Sequence, residues 1–489
     1  MDKSWPTANR GSRGVLGLTS SVCPECRTLV PARVLMEDDN VYLRRYCPEH
    51  GEMTGLIWRG LEGYLSAQSF VKPAWNQRAV AGDASLPCPR GCGFCERHEQ
   101  HLCLPIVEIT SRCDLACPIC LVDAGADWCM SLDEFRAVIG SLIRAEGQVR
   151  VLNLSGGEPL LHPQLLDFVD EALSHPEIVR VSISTNGLRI LRDRGLLEEL
   201  RAREVVLSLQ FDGFSDRVYE VLRGRPLLKQ KLAILDLLGE SGITTSLTMT
   251  AAGGVNDNQF GQMAELLFSS QHIVSMMIQP LSFAGRASAM KHRVPRLTIP
   301  DIIGALGAAG HAALSADDFI PLPCSHPLCF SLAFYLMTDR GAVSLNRLVG
   351  ADSLLSAVTN RVFFGLDPNE YARLKEMIYA IWSAPVAAVP DSEAALAALR
   401  AVLRELSRAT ASTPLSGFDA RRAFAVGERR VKSIFVHAFQ DEETFDLTRV
   451  RRCCTAYPQP DGRIIPVCVH NILGRRHPGF APEGGEDGA

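Results

Sequence analysis

The chain has 489 residues, 47% of them apolar and 21% charged, with 50 Lys+Arg against 55 Asp+Glu and a net charge of −5. Such a length implies several modules with sizeable cores, and such a composition excludes wholesale disorder. There is no basic surplus to point to nucleic acid as the main partner, and no apolar run is long enough for a membrane span. Residues 1–20 hold no apolar run, so they are expected to be a flexible N-terminus without a secretion signal, and the chain to be cytoplasmic. In that reducing setting the sixteen cysteines are expected to hold metal rather than form disulfides.

Residues 21–75 carry two knuckles, Cys23-Pro-Glu-Cys26 and Cys47-Pro-Glu-His50-Gly51. Ala32–Tyr46 between them reads as a hairpin turning at Glu37-Asp-Asp-Asn40. Two knuckles on a small ribbon suit one zinc ion or a rubredoxin-like mononuclear iron. Three sulfurs and one imidazole favour zinc, unless His50 is only a neighbour. Residues 76–104 hold Cys88-Pro-Arg-Gly-Cys92-Gly-Phe-Cys95 and then Cys103. Four thiolates suit a saturated iron–sulfur cluster or a tetrahedral zinc.

Residues 105–300 have a different rhythm. Strand-like runs occur at Pro105–Thr110, Val149–Leu154, Ile178–Thr185, Glu204–Gln210, Ile243–Thr250 and Ile273–Pro280. Helical spacing fills the intervals at Ser131–Glu146, Pro163–Ser174, Leu191–Arg203, Pro226–Ser241 and Phe260–Ser270. This alternation predicts an α/β fold, a partial (β/α)6 barrel with its chemistry at the carboxyl ends of the strands. Just after the first strand comes Cys113-Asp-Leu-Ala-Cys117-Pro-Ile-Cys120. Three thiolates can hold three corners of a [4Fe–4S] cube and leave one iron open to a ligand. After the second strand, Ser155-Gly156-Gly157-Glu158-Pro159 offers close backbone approach and a carboxylate able to accept from an ammonium group.

Residues 301–425 read as a helical region with Cys324 and Cys329, and with helices at Tyr371–Trp382 and Ser392–Ala409. Residues 426–476 hold Arg452-Cys453-Cys454 and Cys468 and are read as a C-terminal auxiliary-cluster segment. That reading requires residues near 325 and near 460 to meet. Adjacent side chains diverge, so one of Cys453 and Cys454 would be spare; reduced buried thiols are the alternative. Residues 477–489 are rich in Gly, Pro and acids and are expected to be disordered.

The two motifs on consecutive strands resemble the radical S-adenosylmethionine (SAM) superfamily. The cysteine sets across roughly 21–475 resemble one branch of it, which includes tetraether lipid synthases and methylases proposed to act on a pterin precursor. The resemblance implies that Cys113, Cys117 and Cys120 hold a [4Fe–4S] cluster that binds SAM. It places Gly156, Gly157 and Glu158 at the methionine amino group and Thr185 and Asn186 at the ribose or carboxylate. Gln210 and Arg223 are carried over as further SAM contacts, Arg223 through a bidentate bond to the carboxylate, and Ile278 and Gln279 as neighbours of the adenine. It implies two auxiliary [4Fe–4S] clusters, one on Cys88, Cys92, Cys95 and Cys103 and one on Cys324, Cys329, Cys453, Cys454 and Cys468. It also implies a zinc or iron ion on Cys23, Cys26, Cys47 and His50, and a reducing partner such as flavodoxin or ferredoxin. No side chain is singled out as catalytic.

The expected reaction is C–C bond formation at an unactivated carbon after reductive cleavage of SAM. Coupling of lipid alkyl chains comes first, with peripheral contact at a membrane surface; Leu247, Met249, Met276 and Ile278 are compatible with an alkyl chain, though core packing explains them as well. A C-methyltransferase for a pterin-like or other small heterocycle comes second, and an iron–sulfur electron-transfer protein third. A lipid needs a long apolar tunnel and a flat heterocycle a polar pocket, so the lining of the cavity beside the cluster loop separates the first two.

Overall fold

Alternating burial along four consecutive strands builds the N-terminal ribbon. In the computed structural model, which describes residues 13–70, 78–79, 88–89, 91–122, 127–322, 325–357, 392–411 and 420–475, these strands pair antiparallel in sequence order. They are β1 (Arg13–Val22), β2 (Leu29–Glu37), β3 (Asn40–Cys47) and β4 (Gly51–Arg59). Val34, Val41 and Leu43 take the buried face, as a period of two requires. The turn at Glu37–Asn40 has Asp38 and Asp39 in the left-handed region, which short polar side chains tolerate. Helix α1 (Leu61–Ser69) follows.

All six strands expected in the middle of the chain are present: β5 (Leu104–Thr110), β6 (Val149–Gly156), β7 (Ile178–Thr185), β8 (Val206–Gln210), β9 (Thr245–Ala251) and β10 (Ile273–Pro280). The helices between them are α2 (Leu132–Glu146), α3 (Leu165–Ser174), α4 (Arg194–Ala202), α5 (Asp216–Arg223), α6 (Leu228–Ser241) and α7 (Phe260–Ser269). Ser131 and Glu134 cap α2 reciprocally, which sets where the chain turns from the cysteine loop into helix. Helix α8 (Ile299–Ala308) comes after β10.

The parallel array is wider than the expected six strands. β11 (Ile320–Pro321), β12 (Phe330–Thr338) and β13 (Gly341–Ser344) form an antiparallel patch. β14 (Val431–His437) joins that patch to β10, pairing parallel with β10 and antiparallel with β12. At the other edge β15 (Thr455–Pro458) pairs parallel with β5, and β16 (Ile464–Pro466) finishes the sheet antiparallel. Eight strands thus run parallel in the order β15-β5-β6-β7-β8-β9-β10-β14. The outer two, β14 and β15, arrive from distant sequence, which is why local rhythm does not reveal them.

The two faces of the sheet differ in chemistry. Leu154, Ile183, Leu209, Leu247, Met249, Met276 and Ile278 are fully buried in the core shared with the surrounding helices. Each contributes roughly 1.5–3 kcal/mol by leaving water. Leu247, Met249, Met276 and Ile278 are therefore core residues and do not line the cavity, contrary to the alkyl-chain expectation. The inward positions carry Asn153, Ser182, Ser184, Ser208, Ser246 and Ser275.

Ser392–Ala411 is helical, as its spacing predicts. Cys324, the expected helix at residues 371–382, the tail at 477–489 and residues 1–12 lie outside the described residues. Among the described residues no helix is long and apolar enough to cross a membrane.

Candidate active site

The cysteine loop leaves β5 at its carboxyl end and packs onto the glycine turn that ends β6. Gly157 N–H donates to Thr110 O at 2.7 Å and Glu158 N–H to Arg112 O at 2.7 Å. A Cβ on Gly157 would meet Arg112 O at 2.3 Å, and Gly156 has φ +127, so the close approach needs both glycines. The two sequence motifs are thus one structure. Cys113, Cys117 and Cys120 line one cavity together with Gly156, Gly157 and Glu158. Burial pushes the Cys113 thiol up to about 12 and raises that of Cys120. Binding of iron there would displace those protons. Three thiols lining one open cavity fit a cluster with one unligated iron.

A buried polar network holds the rim. Glu158 is 1% exposed and accepts from Thr185 Oγ1 at 2.6 Å, Asn186 N at 2.7 Å and Leu160 N at 3.1 Å. Those bonds use three of about four carboxylate lone-pair sites, leaving one for a ligand. Burial raises its pKa to about 7. Asn186 Nδ2 donates to Asp114 Oδ1 at 2.7 Å, tying the end of β7 to the cysteine loop. Arg223 grips Asp212 through Nε at 2.7 Å and Nη2 at 2.8 Å, and Nη2 also donates to Thr250 Oγ1 at 3.2 Å. Its Nε–Nη2 edge is therefore committed to Asp212, and a bidentate bond to a ligand carboxylate through that edge would have to displace it. Gln210 Nε2 donates to the same Asp212.

Lys231 was not expected from the sequence. Its fully buried ammonium donates to Asn186 O at 2.6 Å, Gln210 O at 2.8 Å and Gln210 Oε1 at 2.7 Å. Burial lowers its pKa to about 7. The available signal was a lysine on the apolar face of α6, in line with Ile234, Leu235 and Leu238.

The cavity has a volume of about 360 Å³. Hydroxyls and amides belt its middle: Ser208 pairs with Thr248 at 2.9 Å, Ser275 with Ser246 at 2.7 Å, and Asn153 with Ser184 at 3.0 Å. Gln279 lines it as well, whereas Ile278 does not.

Three further cysteine sets surround this centre. Ligand atoms of Cys23, Cys26, Cys47 and His50 all lie within 4.8 Å of one another, and His50 Nδ1 is 3.6 Å from both Cys23 and Cys47. The imidazole beside Cys47 lowers that thiol to about 6. This is a closed set of three sulfurs and one nitrogen, which suits a single tetrahedral ion.

Cys329, Cys453, Cys454 and Cys468 surround a second, small cavity, so the two distant segments do meet. Arg449 Nε donates to Cys329 Sγ at 3.3 Å. Cys88 and Cys92 pack in a small core with Cys468, and Cys92 feels both Cys95 and Cys453. Cys103 packs with Cys329 and Cys454, and its N–H donates to Cys454 O at 2.8 Å. The sets around 88–103 and 329–468 thus share one wall. That wall adjoins the large cavity, since His437, Phe439, Thr455 and Val467 line both.

Residues 107–267 match the family model described as the radical SAM superfamily, and residues 15–59 match the HMPTM N-terminal zinc ribbon domain. The chain is 26% identical over 487 residues to a 7,8-dihydro-6-hydroxymethylpterin dimethyltransferase of Methanocaldococcus jannaschii, covering 94% of each protein. It is 29% identical over 181 residues to a GTP 3',8-cyclase of Paenarthrobacter nicotinovorans, covering 36% of this chain and 50% of that one. Among solved structures, Streptococcus suis SuiB bound to S-adenosylmethionine overlaps 37% of this chain and 41% of its own, at 14% identity and a TM-score of 0.32.

Proposed function

For this chain, which belongs to the radical SAM superfamily, we propose the activity of a C-methyltransferase acting on a pterin-like heterocycle. The observation that carries the reading is the end-to-end likeness to the pterin dimethyltransferase, which spans the ribbon, the barrel and the C-terminal cysteines. The belt of hydroxyls and amides inside the barrel supports it: these groups pair with one another and keep further donor and acceptor capacity that a flat heterocycle can use and an alkyl chain cannot. The reading displaces coupling of lipid chains, the first expectation, whose four supporting side chains lie in the helix-facing core. A cavity of about 360 Å³ beside the three-cysteine loop also speaks against a simple electron carrier.

Cys113, Cys117 and Cys120 would hold a [4Fe–4S] cluster with SAM on its open iron. When bound, that pair supplies reductive cleavage of SAM to methionine and a 5′-deoxyadenosyl radical able to take hydrogen from carbon. The chain's own groups orient and shield. Glu158 keeps one acceptor site for the methionine ammonium, while Thr185 and Asn186 fix its carboxylate. Gln210 and Arg223 form the opposite rim, held from behind by Asp212 and Lys231.

Cys88, Cys92, Cys95 and Cys103 would hold one auxiliary cluster, and Cys329 and Cys468 with Cys453 or Cys454 the other; Cys453 and Cys454 line the same small cavity, and Cys453 lies near Cys92 as well as Cys468. Cys23, Cys26, Cys47 and His50 would hold zinc or a mononuclear iron. A flavodoxin or ferredoxin would deliver the electron.

The test is anaerobic, iron-loaded protein with a flavodoxin reducing system, 6-hydroxymethyl-7,8-dihydropterin and excess SAM, serving as radical source and as methyl donor, with a second arm that adds a folate-type one-carbon donor. The expected result is pterin-dependent 5′-deoxyadenosine and a pterin heavier by one or two methyl groups. Turnover of a fatty-acyl lipid with no change in the pterin would reverse the choice.

A further inference from the structure

The large cavity continues below the rim to the amino ends of the strands. There Leu104, Val151, Val206 and Val431 make an apolar floor, and Glu428 enters the wall. Among the described residues, and besides the cysteines, the titratable side chains lining the cavity are Glu158, Arg223, Glu428, His437 and Tyr457. The rim network uses Glu158 and Arg223, which leaves Glu428 as the carboxylate with no role.

Glu428 sits near the end of the helix Ala420–Arg430, with its side chain 12% exposed. Arg180 Nη2 donates to its Oε2, and Arg180 Nη1 is tied to Glu204 O at 2.6 Å. The pair is thus fixed to the start of β7. Burial raises the pKa of Glu428, and Arg180 opposes that shift. Arg180 takes one lone-pair site of about four on the carboxylate. A charged carboxylate in the wall would penalise an alkyl chain, and it rewards a ligand that brings N–H donors.

The amino-pyrimidinone edge of a pterin presents two neighbouring donors, the ring N3–H and the 2-amino group. Their spacing matches the two oxygens of a carboxylate, a charge-assisted bidentate arrangement. We propose that Glu428, held by Arg180 on the barrel floor, anchors the amino-pyrimidinone edge of the substrate; this rests on the pterin reading above. From Arg180 to Thr185, β7 rises about 17 Å at about 3.3 Å per residue. An anchored ring lies below the rim, and its pyrazine edge, with the 6-hydroxymethyl group, faces upward to Cys113–Cys120 and Glu158. The floor then selects the heterocycle and the rim receives the reacting edge.

Anaerobic equilibrium binding to the iron-loaded protein tests this, with two probes: 6-hydroxymethyl-7,8-dihydropterin and the corresponding 7,8-dihydrolumazine, which has a 2-oxo group in place of the amine. Wild type should bind the pterin about tenfold or more tighter, because the oxo analogue puts an acceptor against the carboxylate. Glu428→Gln should bring that ratio close to one, while Glu428→Asp should keep part of it. Iron content checks that each variant is intact, and the two-probe comparison on wild type stands even where a variant fails to assemble. Equal binding of the two probes by wild type, or an unchanged ratio in an intact Glu428→Gln, overturns the anchor and leaves the pterin reading standing. Binding of neither probe by wild type overturns both.

Discussion

Gly157→Ala is the most informative single perturbation of the site. The added methyl would stand 2.3 Å from Arg112 O and 2.7 Å from Ser111 O, both backbone atoms at the start of the cysteine loop. Neither can rotate away, so the turn and the loop must separate by about 1 Å to reach an ordinary contact. That movement breaks the bonds from Gly157 N to Thr110 O and from Glu158 N to Arg112 O. Two lost hydrogen bonds at about 1 kcal/mol each, with a further 1 kcal/mol or so of overpacking, give about 3 kcal/mol. For a barrel of this size that corresponds to roughly 6–12 °C in melting temperature.

The assay is the thermal melt of the barrel with iron content and SAM affinity measured on the same samples. Gly304→Ala is the control: it lies within α8, nothing stands within 4 Å of the added Cβ, and alanine should stabilise by up to about 1 kcal/mol. If Gly157→Ala melts with the wild type, keeps its iron and binds SAM as tightly, the claim that the two motifs are locked by close backbone approach is refuted.

Glu158 should make SAM binding depend on pH. Its carboxyl titrates near about 7 instead of 4.5, so affinity for the ammonium should rise as pH climbs through about 7, and Glu158→Gln should flatten that profile. Between those two values the folded chain keeps a proton that the unfolded chain loses, so this group lowers stability as pH rises through the window. Lys231→Met strips three acceptors of their donor and leaves Gln210 held only through Asp212; SAM affinity should fall about tenfold with iron content unchanged, as read from binding isotherms. Elemental analysis should find about twelve irons in the fully loaded chain if all three clusters are cubes, and Cys454→Ala with Cys468→Ala should remove about four. Cys47→Ser should release the ribbon ion and leave those irons in place. An iron count of about four that ignores the Cys454 and Cys468 changes would leave the auxiliary clusters without support.

Much of this site could be read from short-range pattern. Cys113, Cys117 and Cys120 share one loop, Gly156 to Glu158 share one turn, and the knuckles at Cys23 and Cys47 flank one hairpin. Spacing along a few residues is enough to bring such groups together, and the six βα repeats announce themselves through hydrophobic periodicity. Periodicity also shows that Leu247, Met249, Met276 and Ile278 share one face of their strands. It cannot say which face meets helices and which meets the cavity, because a parallel sheet buries both. Only the tertiary structure assigns these four to the core and Ser246, Thr248 and Ser275 to the interior, and that assignment removes the four side chains offered for an alkyl chain from the cavity wall. The same holds for contacts across hundreds of residues: β14 beside β10, β15 beside β5, Cys92 near Cys453, Arg180 with Glu428, and Lys231 reaching the ends of β7 and β8. Each depends on how remote segments close around one barrel, and no local spacing encodes that closure.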